Sequence, residues 1–473
     1  MALIPEPILI GLRAGVTLVE DGHTIRVCGP SGEYGVREPE GAVRSALLSL
    51  AGTSASEASL EETVIRSGDF AGLSRWYFHL ARLKRRNALT YLVRDGAQDL
   101  LEAAPMSHGA ELNVRPVHES AEYRMSRFAY SHAENGRIFV ATPLSDVRLA
   151  IVDPRIAALL AAMAEARKPA DLAGIAALPP AATRSCLSLL LSAKVIDEAR
   201  GGLLPEEQDD TLRQWEFHDL VFHARSRLGR HDHGIGGTFR FSGKLPSLPA
   251  VRKDYPGPPI ALARLASGGS GTNDPSLATV MAARRSVRRR GNAPISLDEI
   301  GVFLFRTARV ERIIPADPAL GRRYETSTRP YPSGGATYDL EIYLTVDQCA
   351  GLDPAVYHYD PVGHALRLVA PQGPLTDALL DGARSASKMQ VRPQIVVTLT
   401  SRFQRLSWKY ESIAYATTLK NVGVLYEAMY LVATAMGLAP CALGAGNSDL
   451  FSRLIGTDYY RESSVGEFML GSR

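Results

Sequence analysis

The stretch RPYPSGGATYDLEIYL, residues 329–344, orders the second half of the chain. DLEIYLTV reads as a strand, and Pro332-Ser333-Gly334-Gly335 stands directly before it. Two successive glycines let a backbone approach a flat ligand closely. A hairpin turn would explain them equally well. Downstream, AVYHYD, ALRLVA and PQIVVTLT read as further strands. A helical stretch from Ile413 to Met436 follows, then the Gly-rich CALGAGNSD, a helical FSRLIG and a last strand, GEFMLGS. Upstream, Asp274 with Pro275 at the first turn predicts a helix running through LATVMAARRSVRR. Ser296 and Glu299 form a capping box before ISLDEIGVFLFRTA. Strands bracketing two long helices make residues 274–473 an α+β layered domain.

Three further segments of this domain have ligand-binding character. In ARRSVRRRG the expected helix places Arg284 and Arg288 as i,i+4 neighbours, with Arg285 and Ser286 beside them. Arginine gives planar, bidentate recognition of phosphate, and serine adds a short hydrogen bond. A solvated basic face is the plain alternative. The Gly-rich loop that holds Leu443 and Gly444 offers backbone N–H groups, and Arg473 follows the last strand.

The first half has a different texture. ILIGL, GVTLVE and HTIRVC read as short strands, GAVRSALLSLAG, SLEETVIRSG and AGLSRWYFHLARLKRRN as helices, and LTYLV as a strand. The pattern recurs: RFAYSH, RIFVATP and VRLAIV precede helical PRIAALLAAMAEA, ADLAGIAAL and PAATRSCLSLLLSAKV. This predicts tandem winged-helix-like modules over 1–105 and 120–205. From 211 to 273 an aromatic- and His-rich stretch passes into Pro- and Gly-rich sequence, which reads as a linker packing onto the next domain. His218, His223, His231 and His233 lie here without metal-ligand spacing, so no metal is expected.

The balance of 53 basic and 50 acidic residues, a net charge of +3, excludes nucleic-acid binding as an expectation. Cys28, Cys186, Cys349 and Cys441 are far apart, which points to reduced thiols and a cytoplasmic protein. The N-terminus lacks a signal-peptide pattern, and no apolar run reaches membrane-spanning length.

Taken in order, the R-R-S-x-R segment, the P-S-G-G-A turn, the late Gly loop and the terminal Arg resemble the FMN-dependent nitroreductase fold over 274–473. The resemblance implies that Arg284, Arg285, Ser286 and Arg288 hold the phosphate and ring edge of FMN, with Arg473 assisting. It implies that Pro332, Ser333, Gly334 and Gly335 pack on the flavin of a neighbouring subunit in a homodimer. Leu443 and Gly444 would border the ring. A narrower resemblance, carried by SRFQRLSWKYESIAYATTLKNVGVLYEAMYLVATAMGLAPCALGAGNSDLF, is to azoline dehydrogenases of the ThcOx and McbC type. The W-x-F-H-D-x-x-F-H-x-x-S-R stretch, Trp215 to Arg227, is similar to the linker of their longer members. Many relatives carry E-A-G-H in the long helix, where this chain has Asn421-Val422-Gly423-Val424, so no role passes to those positions.

What this implies is oxidation of thiazoline or oxazoline rings to thiazoles or oxazoles in a ribosomally made precursor peptide. A cyclodehydratase would be the partner, and oxygen would take the electrons. Lys409-Tyr410 matches the catalytic Lys-Tyr pair of that family, and loss of a Cα proton needs a positioned base. The plain alternative is a solvated Lys409 and a Tyr410 packed in the core. Two other functions fit the same fold: an NAD(P)H-dependent nitro or quinone reductase, and a peptide-binding scaffold with a vestigial flavin site.

Overall fold

The computed structural model describes residues 8–29, 32–37, 41–66, 70–107, 110, 112–254, 257–264 and 274–473. The Gly/Ser-rich part of the expected linker, 265–273, lies outside them. The chain divides into two compact units, Met1–His233 and Gly234–Arg473.

In the N-terminal unit helices form at Gly41–Gly52, Glu57–Ile65 and Phe70–Arg85, and again at Pro154–Ala162, Pro169–Ala176 and Pro180–Ser192. The second set starts where Asp153 accepts from the Arg155 amide at 2.8 Å and Pro154 occupies the first turn. Thr17–Asp21, Thr24–Gly29 and Gly32–Arg37 form a small three-stranded sheet, and Tyr123–Met125 pairs with Ile196–Glu198 in another. Ile8–Leu12, Leu89–Asp95, Gln98–Pro105, Val147–Ile151, Arg137–Ala141 and Tyr130–Glu134 follow one another in a single antiparallel sheet. Gln98–Pro105 joins the halves, and its sequence, QDLLEAAP, is rich in helix formers. Burial between two partner strands makes it extended. Trp76, Leu80, Leu101, Leu149, Ile156 and Leu187 belong to one core cluster. The segments expected as modules at 1–105 and 120–205 share this sheet and this core cluster.

Residues 211–233 also belong to this unit, although the sequence places a linker from 211. Arg127 donates to the carbonyls of Leu212 (2.7 Å) and Trp215 (3.0 Å), and Phe217–Arg225 is helical. Among the described residues no three His, Cys, Asp or Glu side chains gather as metal ligands. Among them, too, no single helix is long and apolar enough to cross a membrane.

The C-terminal unit is built on a seven-stranded antiparallel sheet. Its order is Pro259–Ala261, Ala365–Pro371, Ala355–Asp360, Leu340–Val346, Ile395–Arg402, Glu462–Leu470 and Cys441–Leu443. The two central strands are buried along their whole length. Alternation divides their side chains between the faces. Leu340, Ile342, Leu344, Ile395, Val397 and Leu399 meet residues of the helices Leu297–Ala308 and Ala414–Ala435. Tyr343 and Val396 point the other way, toward Phe451 and Leu380 of the helices Ser448–Ile455 and Pro374–Ser387. The capping box is present: the Ser296 amide donates to Glu299 Oε2 at 2.8 Å, and the Glu299 amide to Ser296 Oγ at 3.2 Å.

Residues 234–252 are part of this unit. A Pro- and Gly-rich segment cannot satisfy its own carbonyls, and buried side chains do so instead. Trp408 Nε1 donates to Leu245 O (2.8 Å), Arg405 to Leu248 O (2.6 Å), and Arg402 to Pro249 O (3.0 Å) and Ala250 O (3.1 Å).

Candidate functional site

The central strand Ile395–Arg402 ends in a single helical turn, Gln404–Ser407, which turns the chain back to present Lys409 and Tyr410. Both amides donate to Leu406 O, at 3.0 and 2.7 Å. Phe239 N donates to Lys409 O at 3.0 Å, and Gly236 bridges Glu411, so the 234–252 segment walls this corner. Lys409 Nζ lies 4.9 Å from the Tyr410 ring centroid, 5.0 Å from that of Tyr324 and 5.7 Å from that of Phe239.

Opposite stands the Ser333–Thr337 turn. Gly335 has φ +62°, which glycine adopts without cost, and a Cβ there would stand 2.1 Å from Lys409 Nζ and 2.4 Å from Tyr410 Oη. The glycine is thus required twice, by backbone conformation and by the groups converging on it. The turn is anchored from the long helix: the Gly334 amide donates to Asn421 Oδ1 (3.0 Å), and Asn421 Nδ2 donates to the buried Asp339 (2.7 Å). Ser401 and Thr418 donate to the other oxygen of that carboxylate, at 2.7 and 3.0 Å. Pro332 is exposed and Ser333 partly so, with Ser333 Oγ accepting from the Tyr338 amide at 3.1 Å.

The basic segment departs from its expected form. The helix begins after Ser276, not at Asp274, and ends at Ala283 with Arg284 as its cap. Residues 285–290 are not helical, so Arg284 and Arg288 do not share a helix face. Five like charges in seven residues disfavour the helix. Pairing with the C-terminal region replaces it: Val287 N donates to Pro440 O (2.8 Å) and Gly291 N to Ser472 O (2.9 Å). The result is an open cavity of about 540 Å³ lined by Arg285, Ser286, Arg288, Arg289, Arg290 and Arg473. Arg284 instead lies over the Tyr430 ring, 5.4 Å from its centroid. Tyr430 Oη is 2.7 Å from Ser286 Oγ and accepts from the Ala442 amide at 2.8 Å, tying the basic segment to the late loop. In that loop Leu443 is buried with Leu380, Ala383 and Val396. It also lines a second cavity, of about 250 Å³, with Gly446, Asn447, Thr398 and Glu467, while Gly444 is exposed and outside that lining. Burial pushes the Glu467 carboxyl above its ordinary value, against the Ser464 hydrogen bond.

Three groupings therefore emerge: Gly335 with Lys409 and Tyr410; Arg285, Ser286 and Arg288 with Arg473; and Leu443 in the late loop. Asn421 and Tyr430 lie nine positions apart on the long helix, about 13 Å at its rise per residue, so the helix spaces the first two. A cavity rimmed by guanidinium groups and a serine hydroxyl, with no acidic side chain among its lining residues, fits the phosphate of a flavin nucleotide. Tyr324, Asn421 and Tyr430 were missed by sequence reasoning. Of these only Asn421 carried a signal, as the departure from E-A-G-H.

Residues 281–472 match the nitroreductase family, and residues 123–232 match the cyanobactin oxidase ThcOx. A nitroreductase-family protein of Methanocaldococcus jannaschii is 29% identical over 169 residues, 36% of this chain and 78% of that protein. The microcin B17-processing protein McbC of Escherichia coli is 32% identical over 117 residues, 23% of this chain and 42% of that protein. The chain thus spans less than half the length of this second relative. Among solved structures, the E. coli microcin synthetase McbBCD complex with truncated pro-MccB17 aligns at 20% identity and a TM-score of 0.34. That alignment covers 54% of this chain and 91% of that one.

Proposed function

We propose that the chain is an oxidase of the azoline-dehydrogenase type, which oxidises thiazoline or oxazoline rings of a ribosomally made precursor peptide to thiazoles or oxazoles; the matches of 281–472 to the nitroreductase family and of 123–232 to ThcOx, and the similarity to McbC, support this reading. The observation that carries this reading is the convergence of Lys409 Nζ and Tyr410 Oη on the backbone of Gly335. Azoline oxidation removes a Cα proton as hydride leaves, so a base must stand beside the ring.

The cofactor is FMN. Arg285, Ser286, Arg288 and Arg473 hold its phosphate, and Leu443 borders the site. One basic cavity suits one terminal phosphate, and no dinucleotide fingerprint is present in the sequence. Bound flavin supplies the hydride acceptor. The chain's own part is the proton. Lys409 takes it from the ring's Cα, and Tyr410 Oη, beside the same point, orients the ring and relays the proton. Phe239, Trp408 and Tyr324 shield the corner from water. The working form is a homodimer, in which Pro332–Gly335 reach the partner's flavin. Exposed Tyr415, Leu419 and Val424 on the long helix, with Leu277 and Met281 on Leu277–Ala283, supply the apolar surface that a second copy covers. The N-terminal halves act as winged-helix-like modules that bind the peptide, and a cyclodehydratase supplies the azoline.

The test is turnover of an azoline peptide, followed by mass spectrometry for loss of two hydrogens per ring, with the released cofactor identified as FMN or FAD. Lys409→Ala keeps flavin and loses about 10²–10⁴ in rate. Wild-type turnover by that variant would remove Lys409 from the chemistry.

A further inference from the structure

Tyr324 lies 85 positions from Lys409 in sequence, in a stretch, GRRYETST, that carries no motif. Its hydroxyl is the only group in the described hydrogen bonds to which Lys409 Nζ donates, at 2.6 Å. The same hydroxyl donates to Gly335 O, also at 2.6 Å. A phenol has one proton, so donation to the carbonyl leaves only lone pairs facing Lys409. Burial pushes the Tyr324 phenol above its ordinary value, against the pull of Arg405, so that proton stays in place.

The ring cannot turn away. It is 9% exposed and lies near Trp408 and Phe239, at 6.1 and 6.2 Å between centroids. Arg405 sits over it at 5.6 Å. Arg405 is itself fixed, donating to the carbonyls of Thr337 (2.8 Å), Leu248 (2.6 Å) and Glu325 (2.9 Å). A lysine side chain is a flexible four-carbon stem that does not hold one position unaided. Here its tip is tied to the same peptide unit, Gly335, that the proposed site presents.

We propose that Tyr324 is a positioning residue that sets where the Lys409 nitrogen stands relative to Gly335. The proposal rests on the reading of Lys409 as the proton-accepting group. It adds a third residue to the Lys409–Tyr410 pair and places it outside the SRFQRLSWKY…NSDLF stretch that carries the narrower resemblance.

The experiment compares full-length, flavin-loaded wild type, Tyr324→Phe, Lys409→Ala and the double variant on one azoline peptide. Tyr324→Phe keeps the ring and removes the tether. The expected result is unchanged flavin content, a KM within about twofold, and a kcat lower by about 10- to 100-fold. In the Lys409→Ala background the same substitution causes no further loss, because the group it positions is gone. Wild-type kcat for Tyr324→Phe with an impaired Lys409→Ala overturns this proposal alone. Wild-type kcat for both overturns the underlying reading. Equal losses in both backgrounds overturn the tether, since Tyr324 then acts independently of Lys409. Should Tyr324→Phe not fold, Tyr324→His, which can both accept from Lys409 and donate to Gly335, carries the test. A kcat about tenfold or more above Lys409→Ala supports the tether, and a kcat at the Lys409→Ala level in flavin-loaded protein overturns it.

Discussion

Replacing Gly335 by alanine separates stability from catalysis in this site. Two effects follow from one methyl group. At φ +62° a side chain costs about 1–2 kcal/mol against glycine. For a unit of this size that is a fall in Tm of about 2–8 °C. The second effect is local. The new Cβ would stand 2.1 Å from Lys409 Nζ and 2.4 Å from Tyr410 Oη. Ordinary contact begins near about 3.5 Å, so the Lys409 nitrogen retreats by more than about 1 Å. Lys409 is flexible, which keeps the stability cost small, but a displacement of about 1 Å at a reacting group typically removes about 10² in rate. The assays are thermal unfolding by circular dichroism, flavin absorbance and azoline turnover on the same preparation. The expected outcome is a modest drop in Tm, full flavin content and turnover near one hundredth of wild type. Wild-type turnover in a variant with the expected Tm loss would refute the reasoning, since the Lys409 nitrogen would then do its work somewhere other than against Gly335.

Arg288→Ala removes one guanidinium from the basic cavity and is expected to weaken FMN binding by about 10- to 100-fold. Riboflavin, which lacks the phosphate, should bind the two proteins equally by fluorescence quenching; equal weakening for both ligands would place Arg288 away from the phosphate. A separate expectation concerns acid. Burial would raise the Glu341 carboxyl, but the Arg402 guanidinium at 2.7 Å and the His358 hydrogen bond at 2.9 Å outweigh it and hold the group down to about 2. A depressed folded value stabilises the fold above the ordinary value of 4.5, and the stabilisation is lost as pH falls from there toward 2. The shift corresponds to about 3 kcal/mol. Urea unfolding should show Glu341→Gln less stable than wild type by about 3–5 kcal/mol at pH 7, with the gap narrowing below pH 4.5. A gap that stays constant down to about pH 3 would contradict the assignment.

The sequence by itself determined most of the elements and the residues of chemical interest. Helices such as Gly41–Gly52 and Ala414–Ala435, and strands such as Ala355–Asp360, were legible because their hydrophobic pattern is a local signal. The glycines of the Ser333–Thr337 turn stood out by residue type, whereas the Lys409-Tyr410 pair stood out only through the resemblance to a known family. Only the tertiary structure decided the rest. The strand Gln98–Pro105 has helix-forming composition and becomes extended because two buried neighbours complete its hydrogen bonds. The helix expected through Arg284–Arg289 stops at Ala283 because pairing with Pro440 and Ser472 offers its amides other partners. The segment read as a linker is held at 245–250 by Trp408, Arg405 and Arg402, contacts spanning more than 150 positions. Tyr324, Asn421 and Tyr430 gain their roles only from such distant contacts. A hydrogen bond between residues 85 positions apart leaves no period, cap or turn in either segment, so the fold alone creates it.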